Sequence, residues 1–563
     1  KAVTMQRKYN RKECTQFSNL WKLPIVNFLC IVTISSSFKL LLMDSTANKL
    51  SQTPGSETLT AHAISWAASN GLQVGRGDAP PRFTHVPFSL LPQQLPRQAF
   101  EKAQAVAPTF GNLVHRVSQN SEWLIQNLEE VCQSDDFTRQ LVEILKAVEA
   151  EGVSQPLSLG IHRSDYMLHD PSLIGKGGPP TFLQVELNTI ASSFGCLSAR
   201  VAQLHQHLIG RFEEDRDTQS GTAEFLQTYF EDAVLNSRKR KLEQDGDGPS
   251  SAPTLSSLQP ENPTLQKLPA AIAAAHKLYQ PTTSNQKPGV IFVVQDGETN
   301  VMDQRLLEFQ LWEAHKVPVY RMSLGEIQRR CVLSGDKRCL MIDGSVEVAV
   351  VYFRAGYTPD DYPTELEWGG RLLIERSHAI KCPNIGYHLT GTKKVQQILT
   401  KAEELSKFMS PEESKEISQT FAGLFSLGSD AGEETKAAIE ECLANPELYV
   451  LKPQREGGGN NMYGEEIVDK LKNAKDKELQ EYVLMERFFP RAQNALLVRE
   501  GEAMIGPSVS ELGIYSTFIG DKEKVYLNEY AGYLLRTKLQ DVKEGGVASG
   551  YAVLSSPLLT MSS

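Results

Sequence analysis

A glycine-rich stretch at residues 451–466, LKPQREGGGNNMYGEE, constrains the fold of this chain more than any other feature. The apolar run at 448–451 that leads into it predicts a buried strand. Three successive glycines let backbone N–H groups come close to an anion, while Lys452 can place a charge beside a phosphate and Glu456 can hold a hard cation. Because the lysine precedes the glycines, the motif is not the G-x-x-x-x-G-K-[ST] phosphate loop. A surface turn with incidental charges is the alternative, but the combination favours nucleotide binding.

Length and composition narrow the class of protein. A chain of 563 residues is long enough for roughly two to four domains. Its 58 basic and 68 acidic side chains give a net charge of −10, which argues against a surface for nucleic acid or for an anionic membrane. The eight cysteines include no C-x-x-C pair, so neither a zinc site nor a disulfide framework is indicated, and a reducing compartment fits best. The chain also has no H-E-x-x-H and no G-x-S-x-G motif.

Residues 1–58 predict a disordered N-terminal segment that either targets the protein or is not translated. Basic side chains precede an apolar run at 23–34, which is too short to span a bilayer, and serines follow. This order is compatible with an organelle transit peptide or a secretory signal, and the unpaired cysteines downstream disfavour secretion. Because the chain begins with Lys, translation of an upstream region is an alternative, and Met43 could be a second start. We expect a location in the chloroplast or the cytoplasm.

Helical spacing of apolar residues predicts three helices in the first third of the chain. One covers residues 59–75, and a second carries Trp123. The third carries Leu141 and begins near Ser134 or Asp135, either of which would cap it. These helices are expected to face the core.

The strand TFLQVELNT at 181–189 is the first element with candidate chemistry. Its alternation places Leu183, Val185 and Leu187 on one face and Gln184, Glu186 and Asn188 on the other. Glu186 and Asn188 therefore offer a carboxylate and an amide oxygen to one metal ion, although a solvated strand face is the alternative. The turn that follows, at 191–195, is predicted to present free N–H groups to an anion.

Residues 236–265 have no apolar periodicity and predict a disordered insertion, in which the basic cluster at 238–241 is a solvated charge run rather than a nuclear-localisation signal. Strands at 290–294 and 348–353 alternate with a helix, which favours an α/β unit with ligand groups at the carboxyl ends of strands. Arg354 directly follows the second strand and is a candidate clamp for a substrate carboxylate.

The C-terminal part of the chain carries further charged and glycine-rich segments. Lys393 lies at a helix start, residues 410–445 are predicted to be helical and acidic, and a strand is predicted at 482–489. A second glycine-rich loop, at 544–554, is predicted to be a mobile cover.

The motifs HRSDYM, VELNTIASSFG, YFRAGY, GTKKVQQ, LKPQREGGGNNMYGEE, SELGIY, LLRTK and EGGVASG occur in the order typical of eukaryotic-type glutathione synthetases. Over about residues 61–554 the chain resembles that family, with a plant-like character. The resemblance implies an α/β fold of ATP-grasp type, in which two α+β pieces clasp ATP, with an inserted α/β substrate-binding domain and a glycine-rich lid. It also implies a homodimeric ligase that joins γ-glutamylcysteine to glycine through an acyl phosphate, consuming ATP and using Mg²⁺.

The family's functional residues fall on defined positions of this sequence. The resemblance implies Mg²⁺ ligands at Glu186, Asn188 and Glu456. It implies ATP contacts at Glu186, Lys393, Lys452, Gln454, Glu456, Gly457, Gly458, Gly459, Asn460, Asn461, Tyr463, Met485, Glu486, Arg487, Phe488, Glu511, Lys538 and Glu544. It implies peptide-substrate contacts at Arg163, Ile190, Ala191, Ser192, Ser193, Glu298, Asn300, Gln304, Arg354, Tyr357, Arg536, Val547 and Ala548. Arg163, Lys452 and Arg536 are expected to act in catalysis.

Three departures from the family pattern bear on these expectations. Ala191 stands where the pattern usually has Ser, the insertion at 236–265 is foreign to the family, and Ser549 replaces the usual Ala of VAAG. A ligase that uses β-alanine or serine is therefore an alternative, although the Leu-Pro pair of β-alanine users is absent. A catalytically silent nucleotide-binding scaffold is a second alternative, whereas the absence of H-R-D and D-F-G motifs disfavours a kinase.

The chain is expected to divide into five segments. We expect an N-terminal segment at 1–58, a first part of the ATP-grasp core at 59–235, the insertion at 236–265, the substrate domain at 266–392, and the second part of the core with the lid and C-terminal substrate loop at 393–563.

Overall fold

A computed structural model describes most of the chain. The described residues are 55–76, 82–212, 221–230, 254–282, 287–295, 297–428, 431–453, 461–474, 476–542, 546–547, 550 and 552–560. Several predictions lie outside them, namely the segment before residue 55, the insertion up to residue 253, and the site residues Gln454, Glu456, Gly457, Gly458, Gly459, Asn460, Glu544, Ala548 and Ser549.

The described residues form 21 strands. These are β1 (Gln73–Arg76), β2 (Arg82–His85), β3 (Phe88–Ser89), β4 (Gln93–Pro96), β5 (Ser158–His169), β6 (Thr181–Asn188), β7 (Gly289–Val293), β8 (Val319–Met322), β9 (Cys331–Ser334), β10 (Cys339–Ile342), β11 (Val346–Phe353), β12 (Ile380–Cys382), β13 (Leu424–Ser426), β14 (Tyr449–Pro453), β15 (Met462–Tyr463), β16 (Tyr482–Glu486), β17 (Gln493–Arg499), β18 (Glu502–Gly520), β19 (Val525–Leu539), β20 (Val553–Ser555) and β21 (Pro557–Thr560).

The α-helices of the described residues follow the same chain order. They are α1 (Ser56–Ser69), α2 (Arg97–Ala105), α3 (Ala107–Ser118), α4 (Ser121–Cys132), α5 (Asp136–Glu151), α6 (Gly195–Phe212), α7 (Thr222–Tyr229), α8 (Thr264–Leu278), α9 (Val301–His315), α10 (Leu324–Arg330), α11 (Glu365–Arg376), α12 (Ile385–Thr390), α13 (Lys393–Leu399), α14 (Ala402–Leu405), α15 (Pro411–Ser418), α16 (Glu433–Ala444), α17 (Glu465–Asn473) and α18 (Asp476–Leu479). None of these helices has the length and apolarity needed to cross a membrane.

A 13-stranded sheet connects segments that are far apart in sequence. Its order is β17-β3-β20-β19-β18-β5-β12-β11-β10-β9, with β6 beside β5 and with β7 between β11 and β8. Around β5, β6, β18 and β19 the pairing is antiparallel, whereas β5, β12, β11, β7 and β8 are parallel to one another. Strand β11 is buried along nearly its whole length, as expected when helices cover both faces of a parallel sheet. The predicted α/β character at 290–353 is therefore confirmed.

A separate four-stranded antiparallel sheet carries the glycine-rich motif. Its order is β13-β16-β14-β15, so the strand before the glycines pairs with the strand at 482–486. Its own apolar core includes Leu451, Leu484 and Ile467. Two further sheets have two strands each, β1–β2 and β4–β21.

Two of the predicted helices are confirmed with their capping. Helix α4 carries Trp123, and α5 begins after Asp135, whose carboxylate accepts a hydrogen bond from Thr138 N at 2.9 Å. Leu124 and Leu141 of these two helices lie in one large apolar core with residues of β18 and β19. Helix α3, rather than these two, contacts β18 and β19 directly, and α4 packs against α3 and α5.

Three sequence predictions are corrected by the structure. The helix predicted over 59–75 ends at Ser69, and β1 follows. The continuous helix predicted over 410–445 is interrupted by β13, because Leu424–Ser426 pairs with β16 and this tertiary pairing overrides the local acidic pattern. The last part of the predicted disordered insertion, 254–265, is ordered: Leu255 and Leu258 are buried beside α6 and β21.

Candidate active site

Two adjacent strands, β5 and β6, bring predicted metal and substrate residues together. In the β5–β6 pair, Asp165 lies opposite Glu186 and Arg163 lies opposite Asn188. Val185 is an extra residue in β6, so the strict alternation predicted for this strand is interrupted by a bulge. Glu186 and Asn188 nevertheless share one face, since Asn188 Nδ2 donates to Glu186 Oε1 at 3.2 Å.

Asp165 is the centre of a buried ionic network. Its carboxylate accepts two hydrogen bonds from Arg163, at 2.7 and 2.8 Å, one from Arg536 Nη2 at 3.1 Å and one from Asn188 Nδ2 at 3.1 Å. Arg536 also pairs with Glu511. Burial raises the pKa of Asp165, and the two guanidinium groups oppose that rise. The two arginines therefore oppose the effect of burial on this carboxylate without cancelling it.

Gly513 of β18 leaves the space that this network occupies. It lies opposite Asp165 in the sheet, and a Cβ at this position would come within 2.7 Å of Asp165 Oδ1 and 2.8 Å of Arg163 Cδ. A side chain at residue 513 would therefore displace the Arg163–Asp165 pair.

Glu186 lies in a strongly positive environment. Burial favours its neutral form, but Lys393, Lys452, Arg536 and Arg163 outweigh burial and lower its pKa to about 2. Glu186 is thus ionised at neutral pH. A charged carboxylate beside the amide of Asn188 is an oxygen-donor pair of the kind that Mg²⁺ binds, so these residues fit the predicted metal. Among the described residues no three His, Cys, Asp or Glu side chains cluster for metal binding, and the predicted third ligand, Glu456, lies outside them.

The turn after β6 is held by a carboxylate that sequence reasoning missed. Asp303 of α9 accepts hydrogen bonds from Phe194 N at 2.9 Å, Cys196 N at 2.9 Å and Leu197 N at 3.2 Å. Within the turn at 191–195, the Phe194 N–H group is thus bound by a side chain of the chain itself, and the prediction of an open anion site is corrected for this group. The same carboxylate accepts from Arg354 Nη1 at 3.0 Å.

This turn has an unusual backbone. Ala191 and Phe194 have backbone φ angles of +51° and +71°, which residues other than glycine rarely adopt. Ser193 O accepts hydrogen bonds from Arg163 Nη1 at 3.2 Å and from Tyr515 Oη at 2.5 Å. Contacts on both sides thus hold the turn in a strained conformation.

The residues predicted to bind the peptide substrate form a second polar cluster around Arg354. Glu298 accepts hydrogen bonds from Asn300 N at 2.7 Å and Gln304 Nε2 at 2.8 Å, and Arg321 Nη2 donates to Gln304 Oε1 at 2.7 Å. Asn300 Oδ1 and Arg354 Nε are buried and have no hydrogen-bond partner among the described residues. Buried polar atoms are normally satisfied, so these two point to a polar ligand.

The predicted nucleotide residues are divided between the two sheets. Lys452 Nζ donates to Val185 O at 3.4 Å, which places β14 next to the strand of Glu186. In the four-stranded sheet, Met485 packs in a small apolar cluster with Ala422 and Val450, against which Tyr463 and Phe488 also pack. The cluster is apolar, as are most side chains that contact a nucleotide base.

The other predicted residues that the structure describes have the following positions. The Glu486 carboxylate accepts from Gly423 N at 3.0 Å, Arg487 lies 5.8 Å from the Tyr463 ring, and Ile190 packs against the core of the parallel sheet. Val547 is buried, Lys538 lies opposite Val509 in the sheet, and Asn461 is half-buried. The assignment of these residues to ATP or peptide contact stays a prediction.

Gln396 of α13 is a second contributor that the sequence did not reveal. Its side-chain amide accepts from Leu187 N at 2.8 Å and donates to Leu187 O at 3.2 Å and to Gly391 O at 2.7 Å. Leu187 lies between Glu186 and Asn188, so Gln396 pairs with the open edge of β6 as a neighbouring strand would. The motif GTKKVQQ contains this glutamine, but only the fold shows what it contacts.

Comparisons with known proteins agree with this geometry. A family model described as "Eukaryotic glutathione synthase, ATP binding domain" matches residues 54–559. The glutathione synthetase of Dictyostelium discoideum is 37% identical over 89% of this chain and 98% of its own length, and that of Xenopus laevis is 39% identical over 89% and 97%. The chloroplastic enzyme of Solanum lycopersicum is 38% identical over 89% and 84%, so the identities do not single out the plant relative.

A solved structure shows the same fold. The apo form of a glutathione synthetase-like effector from Globodera pallida superimposes with a TM-score of 0.65 at 21% identity, covering 89% of this chain and 96% of that one. The predicted α/β fold of ATP-grasp type is thereby confirmed. The length, coverage and identity of these matches show that the chain belongs to the eukaryotic glutathione synthetase family.

Proposed function

We propose that this chain is a glutathione synthetase, an ATP-dependent ligase that joins γ-glutamylcysteine to glycine. One observation carries the proposal: a continuous series of contacts joins the charged residues around Glu186 to the polar cluster around Arg354. Arg163 donates to Ser193 O, and Asp303 binds both the N–H group of the next residue and Arg354. A phosphate donor and a peptide substrate held at the two ends would therefore meet at one rigid turn.

The peptide end suits a γ-glutamyl dipeptide. Such a substrate carries carboxylates and one free ammonium group. Arg354 can bind a carboxylate with its unpartnered Nε, Asn300 can accept from the ammonium group with its unpartnered Oδ1, and Glu298 adds a negative charge beside it. The arrangement supports recognition of the γ-glutamyl group at this end.

The nucleotide end suits a phosphate donor. Lys393, Lys452, Arg163 and Arg536 all act electrostatically on Glu186, and the two arginines also form ion pairs with Asp165 and Glu511. Four positive groups thus face three carboxylates, and this excess of positive charge supports binding of the phosphates of ATP. Glu186, Asn188 and Glu456 would hold Mg²⁺, which when bound would offset phosphate charge during the transfer.

With the nucleotide and the dipeptide bound at these two ends of the site, the ligation would proceed in two steps. The cysteinyl carboxylate oxygen attacks the γ-phosphorus of ATP, and ADP leaves as the acyl phosphate forms. The glycine amine then attacks the acyl carbon, phosphate leaves, and the amine loses a proton as the amide forms. No covalent enzyme nucleophile is needed, and burial raises the pKa of Cys196, which makes this nearby thiol a poor one. Positioning and electrostatics would carry the rate.

A different acceptor amino acid is the second candidate. Ser549 departs from the family pattern at the C-terminal substrate loop, and it lies outside the described residues. ADP release should be measured with ATP, γ-glutamylcysteine and each of glycine, serine and β-alanine, alone and in competition. We expect glycine to support the highest kcat/KM. Preference for serine or β-alanine would contradict the glycine assignment, and ADP release that does not depend on the dipeptide would contradict the ligase itself.

We also propose that the protein forms a homodimer. Phe309 and Trp312 lie one turn apart on α9 and are 48% and 56% exposed, and Phe83 of the β1–β2 hairpin is 46% exposed. The hairpin lies against the start of α9, since Gly75 N donates to Thr299 O at 2.8 Å. An apolar surface of this kind favours association with a second copy. Light scattering should give a dimer for the unmodified protein and a monomer for Trp312→Glu. The exposed Leu443→Glu is the matched control, and a monomeric unmodified protein would contradict the proposal.

The location is proposed as chloroplast or cytoplasm. Relatives from Solanum lycopersicum and Arabidopsis thaliana carry the name chloroplastic, which supports the first, and the scattered cysteines support a reducing compartment in either case. N-terminal mass spectrometry of the native protein tests this. Removal of about the first 42 residues would support import, as predicted for a transit peptide.

A further inference from the structure

The loop that follows Arg354 is held by one carboxylate, that of Asp361. Asp361 Oδ2 accepts hydrogen bonds from three successive backbone groups, Gly356 N at 2.8 Å, Tyr357 N at 3.0 Å and Thr358 N at 3.2 Å. A carboxylate that accepts three N–H groups fixes the backbone more firmly than a single bond would. It thereby sets the position of Tyr357, a predicted substrate contact.

The other oxygen of Asp361 ties this loop to the neighbouring strand. Gln295 Nε2 donates to Asp361 Oδ1 at 2.6 Å, and Gln295 follows the carboxyl end of β7 by two residues. At the same edge, Arg354 N donates to Val293 O at 2.9 Å. Asp361 therefore joins the ends of β7 and β11, the edge of the parallel sheet at which ligands bind.

The loop turns at Gly356, whose backbone is held on its other side as well. Gly356 has a φ of +91°, and its carbonyl accepts a hydrogen bond from Tyr362 Oη at 3.1 Å. A Cβ at residue 356 would lie 2.9 Å from that hydroxyl. Asp361 and Tyr362 thus hold the N–H and the C=O of one glycine from opposite sides.

We propose that Asp361 is a positioning residue for the peptide substrate: it holds the loop that carries Tyr357 beside Arg354 without touching the substrate itself. The inference rests on the proposed function and adds a residue to the dipeptide site alone. Asp361 is half-buried, whereas its neighbour Asp360 is exposed and makes no side-chain hydrogen bond within the described residues. The two aspartates therefore form a matched pair, one engaged with the loop and one not.

The test compares Asp361→Ala with Asp360→Ala and with Asp361→Asn. We expect Asp361→Ala to raise the KM for γ-glutamylcysteine about tenfold, since three accepted N–H bonds are lost, while the KM for ATP stays unchanged. Asp360→Ala should match the unmodified protein. Asp361→Asn keeps one acceptor oxygen and should recover most of the affinity, and Tyr362→Phe should raise the same KM to a smaller extent.

The outcomes distinguish a failure of the positioning role of Asp361 from a failure of the proposed ligase function. Equal dipeptide KM values for Asp361→Ala and Asp360→Ala would overturn the positioning role while leaving the proposed function intact. A parallel rise in the KM for ATP would also overturn it, because loosening would then extend beyond the dipeptide site. Absence of dipeptide-dependent turnover in the unmodified protein would overturn both.

Discussion

Replacing Asp303 by Asn gives the sharpest test of how the two ends of the site are joined. The carboxylate is 2% exposed and accepts from four donors: Cys196 N and Leu197 N at Oδ1, and Phe194 N and Arg354 Nη1 at Oδ2. An asparagine replaces one of the two oxygens by an NH₂ group. In either orientation of the amide, two of the four donors then face another donor instead of an acceptor.

The loss in the free energy of unfolding depends on the number of donors left without an acceptor. Each buried donor without a partner costs about 1–3 kcal/mol. The favoured orientation keeps the amide oxygen on Arg354, because a buried unpaired charge costs about 3–5 kcal/mol. Cys196 N and Leu197 N are then left unpaired. We therefore expect Asp303→Asn to lower the free energy of unfolding by about 3 kcal/mol.

Urea denaturation measures this loss, and the kinetics of ADP release measure its effect on the site. The denaturation midpoint should fall with an unchanged slope, and the KM for γ-glutamylcysteine should rise because Arg354 loses a charged partner. Glu313→Gln makes the same chemical change at an exposed position of α9 and should alter stability by less than about 0.5 kcal/mol. If Asp303→Asn matched Glu313→Gln in both measurements, Asp303 would not join the turn to Arg354.

Three further predictions each concern one polar side chain. Gln396→Met removes the bonds to Leu187 and should weaken ADP binding several-fold in calorimetry, with little change in the KM for γ-glutamylcysteine; unchanged ADP affinity would contradict the role of this glutamine. Asp165→Asn should lower kcat by about 100-fold or more, since Arg163 and Arg536 lose their shared charge, and a kcat within a factor of two of the unmodified protein would refute the network. Burial lowers the pKa of His162 to about 3, so the folded chain stays unprotonated there while the unfolded chain takes up a proton below pH 6.5. Its contribution to stability is full above pH 6.5 and should fall by about 2 kcal/mol at pH 5, and His162→Gln should remove that part of the acid sensitivity in urea denaturation.

Local patterns in the sequence predicted the parts of the site that depend on spacing along one element. Glu186 and Asn188 share a face because they are two residues apart on one strand, and Arg354 follows a strand whose apolar run is visible in the sequence. The bulge at Val185 was not predicted, because a bulge is a property of the pair of strands.

The residues that hold the site together were not predicted, for a physical reason. The partners of Asp303 and Gln396 are mostly backbone atoms of segments more than 100 residues away, and a backbone atom leaves no signature in the sequence. The three N–H groups that Asp361 binds are only three to five residues away, but an aspartate near a proline and a glycine suits many turns. Side chains expected to act on a ligand could be proposed from motifs, whereas side chains that act on the backbone became visible only in the fold.

The central claim is that the cysteinyl carboxylate of γ-glutamylcysteine is activated as an acyl phosphate, and an isotope experiment tests it directly. The dipeptide is labelled with ¹⁸O in that carboxylate and incubated with the protein, ATP and glycine, and the released phosphate is analysed by mass spectrometry. The account predicts one ¹⁸O atom in each phosphate, formed in step with glutathione. Phosphate that carries no ¹⁸O would show that ATP was hydrolysed by water and would contradict the account.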